Sequence, residues 1–341
     1  MDVRLSPEQR ALRDSAAQAV DRLGPHAVGQ LDDRERRAKL DAAVAAAGCR
    51  ELRAATDGGE PWASGVEVGI LAEELGRGLA DTAFLGPTLA AELRRLAGAP
   101  PATSPETVAL VPDLSALADA ADGVAVDAQA AATALVLVPV DGGHILGQVA
   151  VPPADAGVDL TRPAVALGPG AAVVPVPDQA RALTADDLTR WTALGLATAS
   201  ADLVGTMRGA VQLAADYARD RRQYGKAIGS FQAVQHLLAD AFVATEGSRS
   251  AALHAAWAVD SLPPGDALAA AAVAKAYCAR AARAVCETAI QVHGGIGNTW
   301  ECLAHVHLRR ALLSIDVLGG VGPSLARVLD HRGIGATGGF R

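Results

Sequence analysis

Arg221-Arg222-Gln223-Tyr224-Gly225-Lys226-Ala227-Ile228-Gly229-Ser230-Phe231-Gln232 is the stretch on which the fold turns. A long helical pattern opens at Ala185-Asp186-Asp187 and ends at its basic pair. Gly225 and Gly229 break that pattern. A second helix is expected from Ser230 to about Leu262, closed by Pro263-Pro264-Gly265. An arginine beside the N-terminal end of a helix suits a phosphate or pyrophosphate. A plain helical corner with a solvated basic end would look the same, because cations favour helix C-termini.

A third helix, from about Asp266 to Val292, runs into Gln291-Val292-His293-Gly294-Gly295-Ile296-Gly297-Asn298-Thr299-Trp300-Glu301. Closely spaced glycines let backbone approach a ligand. A helix C-cap and a tight turn use glycine equally well. His293 reads as a hydrogen-bonded loop histidine rather than a catalyst. A fourth helix is expected from Glu301 to Val317. Four long helices with short connections make an antiparallel bundle.

Upstream, Ser6-Pro7-Glu8-Gln9 carries the cap, N1 proline and acidic first turn of a helix start. Helices are expected over Ala11–Leu23, Arg34–Ala47, Gly65–Leu79 and Pro87–Leu96. From Thr107 to Pro177 the pattern changes to short valine-rich runs, Val108–Val111, Ala134–Val138 and Ala172–Val176, with a turn at Val140-Asp141-Gly142-Gly143. These favour strands. The fold class is mainly α with a small β domain. The expected division is a helical domain (1–103), a short β domain (104–183), the bundle (184–331) and a glycine-rich, mobile tail (332–341).

The 341 residues include 30 basic and 38 acidic side chains, a formal net charge of -8 that speaks against nucleic-acid binding. Hydrophobic residues make up 50% but aromatics 3%, so alanine supplies much of the apolar content. Cys49, Cys278, Cys286 and Cys302 form no CxxC pair, so no metal site is expected, and the thiols read as reduced and cytoplasmic. No signal pattern opens the chain, and no uninterrupted apolar run of membrane-spanning length is expected.

In this order, the two motifs resemble the C-terminal domain of acyl-CoA dehydrogenases. There the first reads approximately Arg-x-x-Phe-Gly followed by Phe-Gln, and the second Gln-x-x-Gly-Gly-x-Gly. Trp300-Glu301 through His305, His307 and Leu308-Arg309-Arg310, and the helix Leu71-Ala72-Glu73-Glu74-Leu75-Gly76, fit the same family. The resemblance implies oxidation of an acyl-CoA thioester to the trans-2-enoyl-CoA, with FAD taking the β-hydride, a glutamate taking the α-proton, and an electron-transfer flavoprotein as acceptor. It also implies an FAD shared across a subunit interface. Arg221 would then contact the pyrophosphate, with Gln223, Tyr224 and Gln232 lining the same region. Gln291, Gly294 and Gly295 would pack along the adenosine.

The sequence departs from the family at the base. One family position for the glutamate falls on Leu318-Gly319, and the other on about Gly195; no carboxylate lies between Trp191 and Ala201. Asp202 and Asp316 are nearby acids out of register, expected to be solvated or capping. The family's Thr-Glu-Pro-type segment and its flavin-holding tryptophan strand are missing between Thr107 and Val176. The resemblance therefore implies the base-lacking subunit of a two-plus-two tetramer, completing the FAD site of a paralogous partner. Complexes of that kind are associated with bulky acyl chains, steroid side chains among them. Two other readings stay open here: a homomeric enzyme with a relocated base, and a structural protein that has lost flavin.

Overall fold

The computed structural model describes residues 4–119, 122–153 and 157–334. Helix α1 (Pro7–Leu23) starts where expected, with a reciprocal capping box. The Ser6 hydroxyl accepts from the Gln9 N–H at 3.2 Å, and the Gln9 side chain accepts from the Ser6 N–H at 3.0 Å. Helices α2 (Arg34–Ala46), α3 (Gly65–Arg77) and α4 (Leu85–Ala97) follow. Ser64 and Glu67 form a second capping box on α3. The left-handed Gly98 closes α4 at φ 61°.

The middle segment is a six-stranded sheet of order β5-β2-β1-β3-β4-β6. Its members are β1 (Glu106–Leu110), β2 (Val124–Ala125), β3 (Thr133–Val140), β4 (Gly143–Ala150), β5 (Val165–Ala166) and β6 (Val174–Pro175). β1 and β3 run parallel, and the other pairs are antiparallel. β3 and β4 form its long hairpin, turning on Asp141-Gly142 with Val140 paired to Gly143. Gly142 takes φ +85°, the reason a glycine stands there. β6 keeps only two residues of the run expected over Ala172–Val176. Pro175 and Pro177 have no N–H to donate to a longer ladder, although the Val176 N–H still reaches the Leu146 carbonyl at 2.9 Å.

Five helices follow: α5 (Ala185–Asp220), α6 (Gln232–Ser261), α7 (Pro264–His293), α8 (Ala304–Asp316) and α9 (Val321–His331). The fifth was not among the helices expected, the last of which was to end at Val317. Pro323 sits in the first turn of α9, where its missing N–H costs nothing. The stretch Ala304–His331 has the length and apolarity of a membrane span. It is broken at 317–320 into two helices whose inner faces pack on the bundle. Of the tail 332–341 expected to be mobile, residues 335–341 lie outside the described residues.

Small side chains hold the bundle together. Ala210, Ala214 and Ala218 of α5 pack in one cluster with Ala279, Ala282 and Ala289 of α7. α3 approaches α5 still more closely: a Cβ on Gly205 would fall 1.9 Å from the Glu73 carbonyl oxygen. The two backbones touch, which only glycine permits.

A candidate flavin-facing site at one end of the bundle

The first motif folds as a hairpin rather than an open loop. Arg221 caps α5, its N–H donating to the Tyr217 carbonyl at 2.8 Å. β7 (Arg222–Gln223) pairs with β8 (Lys226–Ala227), and Ile228 N–H donates to the Arg221 carbonyl at 2.8 Å. Tyr224 and Gly225 make the turn with φ 51° and 77°, the two left-handed residues that a tight two-residue hairpin needs. The turn stands clear of the body: Tyr224 is 94% exposed. Phe231 braces the hairpin, with its ring edge-on to Tyr224 at 6.3 Å and the Lys226 ammonium 4.5 Å above it. α6 then begins at Gln232 with no side-chain cap on its first N–H groups. Arg221, Gln223 and Gln232 are exposed here, and among the described residues no carboxylate pairs with Arg221.

The second motif lies at the same end. α7 terminates at His293, and Gly294 takes φ +65° as its cap. Gly294–Asn298 then winds into a 3-10 turn, tighter than the loop expected. Gly297 is required by packing, since a Cβ would lie 2.8 Å from the Ile290 carbonyl oxygen. Gly294 and Gly295 face open space, and Gln291 is exposed. His293 is the last residue of α7 and is buried; its Nδ1 lies 2.7 Å from the Ala289 carbonyl oxygen. Its ring stacks on Tyr217 with centroids 4.5 Å apart. Tyr217 is one helical turn before Arg221, so this contact ties the two motifs together. Sequence reading passed over Tyr217; its i, i+4 spacing from Arg221 was the available signal.

The two positions expected for a base meet in space. A Cβ on Gly195 would fall 2.2 Å from a Leu318 methyl carbon and 3.5 Å from Leu89. Leu318 is fully buried there, with φ +59°. Its backbone is held from three sides. The Leu318 N–H donates to the Leu114 carbonyl at 2.7 Å, and the Leu318 carbonyl accepts from Arg327 at 2.7 Å. The buried Lys275 ammonium donates to the carbonyls of Ile315, Val317 and Gly319. The turn thus closes directly on the β1–β2 connection, where Arg327 also reaches the Ser115 carbonyl at 3.1 Å.

Asp202 is not the solvated or capping acid expected. It is 3% exposed and sits in a buried ion network. Arg310 donates to one oxygen at 2.6 and 3.1 Å, while Ser314 at 2.6 Å and Arg162 at 3.3 Å approach the other. Burial works to raise its pKa, but Arg162 and Arg310 hold the carboxyl below its ordinary range. Both oxygens are occupied, so it has no geometry for taking a substrate proton. Asp316 is exposed at the end of α8.

A model of the acyl-CoA dehydrogenase C-terminal domain matches residues 193–321. Acyl-CoA dehydrogenase IpdE2 of Mycobacterium tuberculosis is 33% identical over 259 residues, covering 74% of this chain and 73% of the relative. Acyl-CoA dehydrogenase FadE34 of the same organism is 44% identical over 129 residues, 38% of this chain but 18% of that longer protein. Two solved structures share the fold over nearly the whole chain, each at 24% identity. One is a Tcur3481-Tcur3483 steroid ACAD variant (TM-score 0.78, 96% and 98% of the two chains). The other is the ChsE4-ChsE5 complex from Mycobacterium tuberculosis (TM-score 0.75, 99% and 100%). With helices, sheet and bundle in this order and both motifs at one bundle end, the chain belongs to the acyl-CoA dehydrogenase family.

Proposed function

We propose that this chain is a base-lacking subunit of an FAD-dependent acyl-CoA dehydrogenase and completes the flavin site of a paralogous, glutamate-bearing partner. The observation that carries this reading is the convergence of Gly195 and Leu318. Both places where the family keeps its base meet at one point, and that point holds a buried leucine against Leu89. Leucine cannot accept the α-proton of a thioester. The Leu318 turn is also hydrogen-bonded directly to Leu114, and Arg327 links it to Ser115.

The exposed end of the bundle supports the other half of the proposal. Among the described residues no carboxylate pairs with Arg221, which stands beside the N-terminus of α6, where the absence of a side-chain cap and the helix dipole favour an anion. That combination fits a pyrophosphate. Arg221, Gln223 and Gln232 would hold the diphosphate, with Tyr224 beside them. Gln291, Gly294 and Gly295 would lie along the adenosine, the glycines admitting it without a Cβ in the way. The bound flavin supplies acceptance of the β-hydride, and the protein supplies its placement. The partner's own half of the site would cover these residues. Leu237, Phe242 and Val243 of α6 and Val273 and Tyr277 of α7 are 41–68% exposed and provide apolar surface for docking it. The substrate class is a bulky acyl-CoA thioester, in line with the steroid enzyme named above, with an electron-transfer flavoprotein as acceptor.

The test is the flavin spectrum of the chain purified alone and after co-expression with a glutamate-bearing paralogue. One FAD per pair of chains, lost in Arg221→Ala, is the expected result. Stoichiometric FAD on the chain alone, bleached by an acyl-CoA, would overturn the reading.

A further inference from the structure

Two cavities meet between α1, α3, α5 and α6, and their walls differ in kind. One, of about 330 Å³, is walled by Val66, Ile70, Ala201, Leu253 and Ala256. It includes the contact of α3 with α6, where a Cβ on Gly69 would lie 3.4 Å from the Ala256 Cβ. Side chains that short leave open what a larger pair would fill. The other cavity, of about 680 Å³, carries Arg77, Arg208, Gln212 and His307. Arg13, Glu74 and Arg249 line both, so the two are lobes of one cleft, one apolar and one polar. Each has the size of a small-molecule site.

The polar lobe has cationic donors to spare. Arg208 spends one terminal nitrogen, Nη1, on both Glu73 and Glu74, and the Nε of Arg249 lies 3.1 Å from Glu73. Glu74 also accepts from Arg77 at 2.6 Å. Three guanidinium groups thus lean on two carboxylates. Among the described residues no hydrogen bond holds the second terminal nitrogen of Arg208 or either one of Arg249. The two arginines approach the same oxygen of Glu73, Oε1, so they stand close enough to share one further carboxylate. The other acids lie elsewhere in the cleft. Asp21 pairs with Arg77, Asp216 pairs with Arg219, and Glu246 lines only the apolar lobe. His307, in the polar lobe, is 4% exposed, and its Nδ1 has no hydrogen-bond partner. Burial drives the ring down to about 3, so it is neutral. A buried nitrogen without a partner is uncommon in a folded chain, and an oxygen bound in the lobe it lines would meet it.

We propose that this cleft binds an amphipathic carboxylate, with its chain in the apolar lobe and its head group on Arg208 and Arg249. The shared lining at Arg249 puts the cation at the mouth of the apolar lobe, where the head of a chain lying in that lobe would emerge. The site uses none of the residues assigned to the flavin, and it stands whether or not that assignment does.

The test is isothermal titration of the full chain with octanoate, decanoate and dodecanoate, each below its micellar concentration. One molecule should bind per chain, tightening about two- to fourfold with each added methylene. Decyltrimethylammonium carries a similar chain on a cationic head, and should bind at least about tenfold more weakly than decanoate. Arg249→Gln should weaken decanoate by about tenfold or more, since a charge-assisted contact is lost. Val66→Trp fills the apolar lobe and should abolish the dependence on chain length. Circular dichroism checks that each variant is folded. Failure of the wild-type chain to bind decanoate at millimolar concentration overturns the proposal without any variant. Equal affinity for the anionic and cationic probes does so as well. Unchanged decanoate affinity in Arg249→Gln also overturns it, because the chain would then be binding at another place.

Discussion

Replacing Asp202 by alanine separates a structural acid from a catalytic one. The carboxylate joins α5 to α8 through Arg310 and Ser314, and to the segment before β5 through Arg162. Removing it leaves two buried guanidinium groups short of a counter-charge. Arg310 keeps the Ala80 carbonyl and the Thr161 hydroxyl, at 3.0 and 2.9 Å, and Arg162 keeps Asp159 at 3.3 Å. Breaking one side of a buried pair costs about 3–5 kcal/mol. Set against a typical total of roughly 5–15 kcal/mol, that loss is large. Urea unfolding followed by helical circular dichroism should show it as a lower midpoint with an unchanged slope.

The pH dependence has a definite sign. The folded pKa of Asp202 is depressed, so the carboxylate's contribution is fully present above the unfolded value of about 3.9 and is lost as pH falls through the folded one. Wild type and Asp202→Ala should therefore differ at neutral pH and converge in acid. A loss under about 1 kcal/mol at pH 7 would refute the network's role. So would a stable variant whose flavin-containing complex has lost turnover, because Asp202 would then be behaving as a base.

Two further predictions concern the Leu318 turn. Leu318→Ala removes a fully buried side chain packed on Leu89 and Gly195, and should cost about 2–5 kcal/mol in the same assay while leaving flavin content per assembled pair unchanged. Lys275→Met deprives three carbonyls of their donor, a loss of roughly 1–3 kcal/mol. Burial pushes the Lys275 ammonium down to about 7, so between there and the unfolded value near 10.4 the unfolded chain binds more protons. Wild-type stability should rise with pH across that window, and the slope should vanish in Lys275→Met.

Helix starts were the most legible part of the chain, because they are written locally. Ser6-Pro7-Glu8-Gln9 was read as a helix start from four residues, and the Ser64–Glu67 box, just as local, was there to be read although it was not singled out. The hairpin turn at Gly142 was equally local. What escaped the sequence depends on residues far apart. Asp202 read as a surface acid because its partners Arg162 and Arg310 lie on other elements, and nothing near residue 202 announces an ion network. The meeting of Gly195 with Leu318 is likewise a tertiary event: each position was identified by register, but that they occupy one point required the fold. The tight turn at Tyr224-Gly225 was hidden by tyrosine, which gives no sign of a positive φ. α9 lies beyond the last expected helix; a proline three residues into a helix looks, in sequence, like a proline that ends one.

The alanine faces of α5 and α7 have a thermal consequence. Alanine has no rotamers to freeze, so packing it costs little side-chain entropy. It also removes less apolar surface from water than leucine or phenylalanine would, and heat-capacity change on unfolding follows that surface. A bundle joined by Ala210, Ala214 and Ala218 on one side and Ala279, Ala282 and Ala289 on the other should therefore unfold with less than the usual ~12–15 cal/mol/K per residue. Its stability curve would be flatter than that of a leucine-cored bundle of the same length, losing less at either end of the temperature range.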